Sequence, residues 1–317
     1  METKRPTNPA AEEILGLYFP VLDYGFISLC DYMGTDQCIE SAARVSYGAG
    51  TRKRNETRGL LRYLRRHRHT SPSEMVELKF HMCMPIFVAR QMVRHRTVSL
   101  NEYSGRYSLM PMVFYTPPKE QFKKQSASNN KGRNGNLPDG AYEAAVEEWN
   151  RYRKNNADLY VELVEADVAR ELARIDLPLS TYTQWYWKTN LHNLLHFLGL
   201  RVDSHAQWEV REYANVMAGI TKRVAPMTFE AWIDYDFCNV RFTQAELELL
   251  PRVFGDFNSD GFEKILGSKR EVAEFRAKLE PKIPPNFDLD LTKAKSAQYF
   301  EQILFNKVPK VDKNTDS

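Results

Sequence analysis

The amino-acid sequence predicts an α+β fold in which a mixed sheet is flanked by helices. Across residues 76–84, apolar and polar side chains alternate strictly, as in a strand with one buried face. The stretch TYTQWYWK at 181–188 has the β-branched and aromatic composition of a second strand. Longer segments around these strands carry apolar residues at helical spacing. Gly48-Ala49-Gly50 begins a G-x-G motif, but Lys53 stands at the third glycine position, so a Rossmann fold is not predicted.

The chain before these strands is predicted to contain a tail, a strand and two helices. Residues 1–12 have the composition of a flexible tail. Residues 25–32 (GFISLCDY) form a candidate strand, and residues 36–45 form a candidate helix that leads into Ser46-Tyr47-Gly48. Residues 57–68 are predicted to be an amphipathic helix, because leucines mark one side and arginines mark the other.

The segment around the alternating strand is the best-defined unit of the sequence. Pro85 ends the strand and suits the first turn of a helix, where its missing N–H does no harm. Apolar residues from Ile86 to Val93 give this helix a stripe. Arg94-His95-Arg96 therefore falls at the helix C-terminal end, and residues 97–107 are predicted to be irregular. A helix end that leads into a polar loop can hold reactive side chains rigidly.

The second half of the chain is predicted to be mainly helical. Residues 117–139 are rich in Lys, Asn, Gly and Ser, which favours an exposed loop. Asn190 is a candidate N-cap for the helix that follows the 181–188 strand. The predicted helices are 142–164, 168–175, 191–200 and a further one from Ser204 onward.

The bulk properties favour a cytoplasmic protein outside the membrane. No stretch approaches the roughly 20 apolar residues that span a bilayer, and no apolar run follows the N-terminus. The four cysteines form no C-x-x-C pair and are few for 317 residues, which favours thiols in a reducing compartment. The net charge of +3 is too balanced to indicate a nucleic-acid partner.

The polar chemistry of the sequence is concentrated between Arg94 and Arg106 (RHRTVSLNEYSGR). Arginine binds phosphate and carbonyl oxygens through a planar fork of donors, at roughly 1.5–3 kcal/mol per charge-assisted bond. Asn101 and Glu102 can recognise the polar edge of a heterocycle, and Gly105 permits close approach of the backbone. The segment therefore predicts a site for a nucleotide. A solvated loop at a helix end, where arginines complement the helix dipole, is the alternative.

The same segment matches the R-H-R-x7-S signature of the flavin-dependent thymidylate synthases, with Asn101, Glu102 and Arg106 in register. The chain resembles that family from about Ala43 to about Ala231, roughly two-thirds of its length. Further matching blocks occur in the family's order. They are His69, Glu74, PIFVARQ at 85–91, ARI at 173–175, LPL at 177–179, Leu200-Arg201 and DSHAQW at 203–208.

The resemblance implies an enzyme with a thymidylate synthase complementing protein-like fold. Such an enzyme methylates dUMP to dTMP reductively, with 5,10-methylenetetrahydrofolate as carbon donor and NADPH as reductant through FAD. We expect the catalytic domain, which would bind flavin and nucleotide, at residues 21–240. It would lie between an N-terminal tail at 1–20 and a C-terminal helical extension and tail at 241–317.

The family's functional residues transfer to matching positions of this sequence. The implied catalytic residues are Arg201 against the uracil ring, His69 near flavin and folate, and Ser104. Ser104 is disfavoured as a nucleophile, because the sequence fixes no base beside it. Residues implied to bind dUMP are Gln91, Glu102, Ser104, Gly105, Arg106, Arg174 and Arg201. Residues implied to bind FAD are Ser46, Ser71, Glu74, Arg94, His95, Arg96, Asn101, Glu102, Asn190, His196, Leu200 and His205.

The family also implies a homotetramer with FAD bound between subunits, so the site residues need not converge within one chain. The sequence departs from some members at single positions. Ser71 replaces a threonine, and His192 and His196 stand where some members carry arginine and asparagine. Residues 117–139 and the extension after about 240 are additions relative to compact members.

Other functions can be weighed against this one. His192 and His196 (HNLLH), with His205, suggest a metal site, but Asn193 replaces the glutamate of a zinc peptidase motif, so no metal is predicted. The basic run 52–68 suggests a nucleic-acid-binding module, although a solvated helix face is favoured. Its cations are Arg52, Lys53, Arg54, Arg58, Arg62, Arg65, Arg66 and Arg68. A flavin enzyme that acts on uracil within RNA is a second alternative.

Overall fold

A computed structural model describes residues 5–46, 56–127, 132–253, 262, 269–278 and 284–309. The strands are β1 Tyr18–Val21, β2 Gly25–Met33, β3 Glu77–Pro85, β4 Ser99–Glu102, β5 Lys123–Gln125, β6 Arg133–Asn136 and β7 Tyr182–Asn190. The first helices are α1 Pro9–Glu12, α2 Asp36–Val45, α3 Thr57–Arg66, α4 Ile86–Met92, α5 Ala141–Glu165 and α6 Arg170–Ala173. The later helices are α7 Leu191–Arg201, α8 Trp208–Val224, α9 Pro226–Trp232, α10 Gln244–Val253, α11 Lys269–Lys278 and α12 Ala297–Phe305.

The main sheet has five strands in the order β1-β2-β3-β7-β4. Every pair in it is antiparallel. The last residue of β3, Pro85, pairs with the first residue of β7, Tyr182. The chain between these two strands therefore returns to the end of the sheet at which β3 stops. The predicted α+β class is therefore confirmed, and the sheet is antiparallel where a mixed sheet was expected. The reason is that β3 and β4 lie on opposite sides of β7 and both run antiparallel to it, so the connection from β3 to β4 crosses the sheet without creating a parallel neighbour.

One face of the sheet carries the main core. Leu78, Phe80, Met82 and Met84 of β3 are fully buried, as the period of two requires. They belong to one cluster with residues of α7 and α8, which pack against this face. Trp187 of β7 lies in the same cluster, with its centroid 6.0 Å from that of Phe80. The alternation at 76–84 therefore identified the central strand of the fold.

The opposite face of the sheet is covered in part by the C-terminal helix α12. Phe300 and Leu304 of this helix pack with Phe26, Cys83 and Tyr182. The centroids of Phe26 and Phe300 lie 4.8 Å apart, which is an ordinary aromatic contact. The two faces explain why both parities of β3 contain buried residues near its C-terminal end.

Helix start signals in the sequence were interpreted correctly at two places that matter for the site. Pro85 is the N-cap of α4, so Arg94-His95-Arg96 follows directly on the end of this helix. Asn190 caps α7, since its Oδ1 accepts a hydrogen bond of 2.9 Å from the amide of Asn193. The predicted strand at 181–188 is also confirmed as β7.

Several predicted irregular segments are ordered elements. The tail expected at 1–12 contains α1, and Ala11 is fully buried, because this helix packs on α8. Residues 99–102 form β4 rather than an irregular segment, because they pair with β7. The loop expected at 117–139 contains a β5–β6 hairpin. The helix expected at 168–175 is confined to α6, since Asp167 adopts a left-handed φ of +60° between α5 and α6.

The C-terminal helices have a small apolar cluster of their own. Leu249 of α10 packs with Phe262 and with Val272 and Phe275 of α11. The division of the chain at 20 and 240 stays a prediction. Tyr47-Gly48, the basic residues 52–54 and the end of the C-terminal tail at 310–317 lie outside the described residues.

Candidate active site

A cleft of about 1150 Å³ lies between the end of α3, helix α7 and the C-terminal helices. Four of the residues implied by the sequence line this cleft, and they come from three separate segments. They are His69, His196, Leu200 and His205. The cleft walls also include Arg65 and Arg68 from the α3 region and Lys278 from α11. The arrangement offers imidazoles and cations around one cavity.

The turn after α3 presents His69 to the cleft. Arg68 has a φ of +58°, a left-handed conformation that costs a residue with a side chain on the order of 1 kcal/mol or more. The amide of His69 donates to the carbonyl of Leu64 at 2.9 Å, which closes the turn. The ring of His69 stacks on Tyr63, with centroids 6.0 Å apart. The strained turn therefore has local support, and His69 itself is exposed to the cavity.

Helix α7 carries a second histidine that the sequence left without a role. His192 and His196 lie one turn apart on the helix and both line the cleft. The Nδ1 atom of His192 is buried and has no hydrogen-bond partner in the part of the chain that the structure describes. Burial and the nearby Arg65 lower the pKa of His192, so its ring is neutral at pH 7. Unpartnered buried polar atoms are uncommon in native proteins, so this nitrogen is a candidate for a partner outside the described residues.

The signature histidine is joined directly to Arg201. The guanidinium Nε of Arg201 donates to Nε2 of His95 at 3.1 Å. His95 accepts this bond on Nε2, so its proton is on Nδ1. Burial, with Arg201 and His196 nearby, lowers the pKa of His95 to about 4. Burial lowers the pKa of Arg201 too, but a guanidinium stays charged at pH 7.

Strand β4 carries the middle of the signature along the edge of the sheet. Its four residues are exposed and pair with β7, Asn101 opposite Tyr186 and Glu102 opposite Trp185. The carboxylate of Glu102 accepts a hydrogen bond of 2.8 Å from the hydroxyl of Thr183. Arg94 and Arg96, which precede the strand, are exposed. The sheet edge therefore holds these polar groups in the open.

The loop after β4 contacts the segment after α6 and so brings three implied nucleotide-binding residues together. A Cβ added to Gly105 would lie 2.8 Å from Met110 Sδ and 3.1 Å from Arg174 Cδ, so a larger residue there would have to displace these two side chains. Arg106 forms an exposed ion pair with Glu171, 3.1 Å from Nε to Oε2. The hydroxyl oxygen of Ser104 accepts from the amide of Arg106 at 3.3 Å. These contacts give Ser104 no activating base.

The structure does not gather the remaining implied residues into the cleft. The amide oxygen of Asn190 caps α7, which leaves its NH₂ group for a ligand. Glu74 accepts a hydrogen bond of 3.2 Å from the hydroxyl of Thr70. Ser46 and Ser71 are exposed. His95, Arg201, Arg106 and Arg174 are not among the residues that line the 1150 Å³ cleft, but His95 lies 6.3 Å from the cleft residue His196 and accepts a hydrogen bond from Arg201. Within one chain, the implied residues therefore form a histidine cleft and a separate arginine surface.

The basic face of α3 is paired with acids of α9 and of the segment that follows it. Arg58 Nε donates to Glu230 at 2.9 Å, and Arg62 bridges Glu230 and Asp234. Arg65 pairs with Asp236. These pairs neutralise three of the eight cations that suggested a nucleic-acid surface. The expectation of a purely solvated face is also corrected, because α3 packs on α9.

A search of the described residues finds no group of three His, Cys, Asp or Glu side chains placed to hold a metal ion. The same part of the chain contains no helix that is both long and apolar enough to cross a membrane. It contains all four cysteines, and they form no disulfide. His192, His196 and His205 thus share a cleft without forming a metal-binding group.

Comparison with known proteins identifies the family. The model described as thymidylate synthase complementing protein matches residues 28–227. A flavin-dependent thymidylate synthase of Rickettsia bellii is 46% identical over 264 residues, which are 79% of this chain and 90% of that protein. One of Gluconobacter oxydans is 50% identical over 236 residues, 74% of this chain and 78% of that protein. The chain belongs to the thymidylate synthase complementing protein family.

A solved structure resembles this family member in fold. The UMP/dUMP methylase PolB from Streptomyces cacaoi, bound with 5-Br UMP, superimposes with a TM-score of 0.62 at 33% identity. The alignment covers 68% of this chain and 98% of that one. The family resemblance based on the signature is thus confirmed, as is the fold.

The range matched by the family model contains most of the cleft but not all of it. His69, His192, His196 and His205 lie within residues 28–227. Trp232, Asp236, Arg241 and Lys278 lie beyond that range and line the same cavity. The C-terminal part of this thymidylate synthase complementing protein family member therefore contributes a wall of its candidate active site.

Proposed function

We propose that the chain is a flavin-dependent thymidylate synthase that methylates dUMP reductively to dTMP. In this proposal 5,10-methylenetetrahydrofolate is the carbon donor and NADPH is the reductant, through FAD. The names of the relatives and of the structural neighbour support this assignment. The observation that carries it is the 3.1 Å bond between Arg201 and His95, because it joins the signature to a cation beside the cleft, where the ring of His95 lies 6.3 Å from that of His196.

The cleft fits the chemistry of a flavin nucleotide. FAD presents a polar ring edge, hydroxyls and a diphosphate, and the cleft presents imidazoles and arginines. The buried Nδ1 of His192 is a ready partner for one of the polar groups of the flavin. His69, His192, His196, Leu200 and His205 would line it, with Ser46, Ser71, Glu74, Arg94, Arg96, Asn101, Glu102 and Asn190 completing the pocket. Bound FAD would supply the reducing equivalents of the reaction.

The arginine surface would hold the nucleotide. Arg106 and Arg174 would bind the phosphate through charge-assisted hydrogen bonds, while Gly105 lets the backbone approach it closely. The ion pair of Arg106 with Glu171 is exposed, so phosphate can displace the carboxylate at little cost. Gln91, Glu102 and Ser104 would complete the recognition of dUMP.

Arg201 would act as a fixed cation beside the uracil ring. Negative charge develops on the ring as C5 becomes nucleophilic, and a preoriented guanidinium stabilises it. His95 is neutral and accepts from Arg201, so it orients the guanidinium without competing for its charge. His69 would lie over the flavin and the folate. Ser104 would position dUMP rather than attack it, because its hydroxyl contacts only its own loop in the described chain.

The separation of the two regions favours an assembly in which different chains complete one site. We propose a homotetramer with active sites at subunit interfaces. The open edge strand β4 and the exposed apolar residues Ile175 (70% exposed) and Leu179 (64%), on the arginine side, are suited to such contacts. A cytoplasmic location is proposed from the cysteine usage.

The test is a reconstituted turnover assay. Protein supplied with FAD should show a flavin spectrum, oxidise NADPH and convert free dUMP to dTMP when methylenetetrahydrofolate is present. The absence of a flavin spectrum after FAD is added would contradict the proposal. Turnover with uracil in RNA but not with free dUMP would favour the RNA-directed alternative.

A further inference from the structure

A chain of side-chain hydrogen bonds connects the β5–β6 hairpin to Gln91. The amide nitrogen of Gln91 donates to Oε1 of Gln207, and Nε2 of Gln207 donates to Oε2 of Glu209 at 2.8 Å. Arg133 of β6 donates to the same carboxylate oxygen from Nη2 at 2.5 Å. The hairpin and Gln91 are thus joined through two intermediate residues of the α7–α8 connection and α8.

Glu209 is the centre of this chain. It lies in the first turn of α8 and is 3% exposed. Three segments donate to its carboxylate, since Tyr115 Oη binds Oε1 at 3.1 Å in addition to Gln207 and Arg133. A buried carboxylate with this number of donors, at a helix N-terminus, is stabilised in the charged form. Burial alone would raise the pKa of Glu209, but hydrogen bonds from Arg133 and Gln207 lower it.

The charge of Glu209 fixes the direction of every bond that follows. An ionised carboxylate can only accept, so Gln207 must turn its NH₂ group towards it. The Oε1 atom of Gln207 then faces Gln91, which in turn must donate from its own NH₂ group. Gln91 is left with its carbonyl oxygen free to accept from a ligand. A protonated or displaced Glu209 would remove this constraint, because both glutamines could then rotate their amides.

Arg133 is well placed to hold the chain in this state. Its Nη1 donates to the carbonyl of Gln121 at 2.9 Å, which anchors the guanidinium to the base of the hairpin insertion. Its other nitrogen bonds Glu209, so the side chain spans from the insertion to α8. Together the hairpin and the 204–211 segment enclose a polar cleft of about 560 Å³.

We propose that the β5–β6 hairpin orients the side-chain amide of Gln91 towards the substrate. Arg133 anchors Glu209, and Glu209 fixes the amide orientations of Gln207 and Gln91. This inference rests on the proposed function, in which Gln91 binds dUMP. Arg133, Glu209 and Gln207 are positioning residues, since they act on the nucleotide through Gln91. The role assigned to residues 117–139 is therefore to order one substrate contact.

Other titratable groups surround Glu209. Tyr115 faces it from the segment before the hairpin, and burial raises the pKa of that phenol far above neutrality, so it stays protonated. Glu212 lies one turn along α8, where burial raises its pKa. His205 lines the hairpin cleft. The wild-type protein and each variant contain Glu212 and His205, so a comparison of affinities at each pH isolates Glu209.

The experiment measures dUMP binding to the FAD-loaded protein by calorimetry between pH 6.5 and 8.5. Arg133→Met should weaken binding about tenfold at pH 7.5, the size of one oriented hydrogen bond. Without the guanidinium, the pKa of Glu209 rises, so the ratio of variant to wild-type Kd should grow as pH falls. Arg133→Lys, which retains a cation, should recover part of the affinity and flatten the pH dependence.

Two further variants separate positioning from charge and from folding. Lys123→Met removes an exposed cation from the same hairpin and leaves the chain of hydrogen bonds intact. The dUMP dissociation constant of this variant should match that of the wild type. Gln207→Leu cuts the chain beyond Glu209 and tests the inference even where Arg133→Met fails to fold. The double variant Arg133→Met/Gln207→Leu should bind dUMP as tightly as whichever of its two single variants has the lower affinity, because both substitutions act through Gln91.

The outcomes are distinguishable. A folded Arg133→Met or Gln207→Leu protein with wild-type dUMP affinity at every pH would overturn the inference and leave the proposed function intact. An equal loss in Lys123→Met would also overturn it, since general attraction of an anion would then explain the effect. A flavin-loaded wild type that binds no dUMP would refute the proposed function and, with it, this inference.

Discussion

The histidine cleft and the arginine surface differ in how completely one chain builds them. His69 lies on a closed turn in the cleft, and beside it His95 accepts a direct hydrogen bond from Arg201. On the surface, Arg106 is more than half exposed and pairs only with another exposed side chain in the described structure. The first region is preorganised by contacts within the chain. The second lacks an enclosing wall, which a neighbouring subunit would supply.

Because of this difference, the two regions are expected to contribute to different steps, one to transition-state stabilisation and the other to nucleotide binding. Groups in a partly enclosed cleft act through a lower effective dielectric, so an oriented charge there has a large effect on a transition state. Exposed arginines are screened and contribute mainly to binding. Substitutions in the cleft should therefore change turnover, and substitutions on the surface should change nucleotide affinity.

The largest effect is expected from Arg201→Ala. Loss of an oriented cation at the reacting ring should lower kcat by about 100-fold or more. The flavin spectrum should remain, because the cleft-lining residues are unchanged. The matched control is Arg66→Ala, which removes an exposed arginine of α3, whereas Arg201 is bonded to His95. Unchanged dTMP formation in Arg201→Ala would contradict the assigned role.

A smaller effect on a different parameter is expected from Arg174→Ala. Removal of one charge-assisted phosphate contact, about 1.5–3 kcal/mol, should weaken dUMP binding by about 10- to 100-fold. FAD binding should not change. Arg151→Ala, on the exposed face of α5, is the control for lost positive charge. A loss of flavin rather than of nucleotide affinity would show that the two regions are not separate in function.

His192→Leu should reduce flavin affinity modestly. The variant removes the unpartnered nitrogen at similar volume, so one neutral hydrogen bond of about 0.5–1.5 kcal/mol is lost. The expected increase in the FAD dissociation constant is about 2- to 10-fold, measured by flavin fluorescence. His67→Leu, an exposed histidine at the end of α3, serves as the control. Equal affinity in both variants would show that His192 does not contact the flavin.

The smallest effect concerns stability against pH. The pKa of His95 is depressed from 6.5 to about 4 in the folded protein, so the unfolded chain binds more protons between these values. Stability should therefore fall as pH drops from about 6.5 to about 4. In His95→Gln this fall in Tm should be smaller, by on the order of 2 °C. Parallel Tm curves for both proteins would contradict the neutral, buried state of His95.

The sequence predicted the elements that show periodic hydrophobicity or a capping residue. The alternation at 76–84 and the Asn190 cap identified β3 and α7, because burial of one face and capping leave local marks. Strand β4 was missed because both of its faces are exposed, so no alternation distinguishes it from a loop. The polar β5–β6 hairpin was missed for the same reason.

The candidate site residues come from the family resemblance, and their roles stay predictions. His192 was left without a role, although it lines the cleft and its Nδ1 is buried with no partner in the described residues. The contact of Gln91 with Gln207 joins residues 116 positions apart, and no local pattern encodes such a contact. The HNLLH spacing was the one available signal for a shared face of α7.

Mixing two inactive variants tests most directly whether the two regions meet across subunits. Arg201→Ala removes the cation beside the cleft, and Arg174→Ala removes a surface arginine, so each alone should form dTMP poorly at low dUMP. Co-assembled from unfolded or dissociated chains, they should regain activity, because some interfaces then combine an intact cleft with an intact arginine surface. Proven mixed oligomers that bind FAD yet show only the sum of the separate activities would contradict the account.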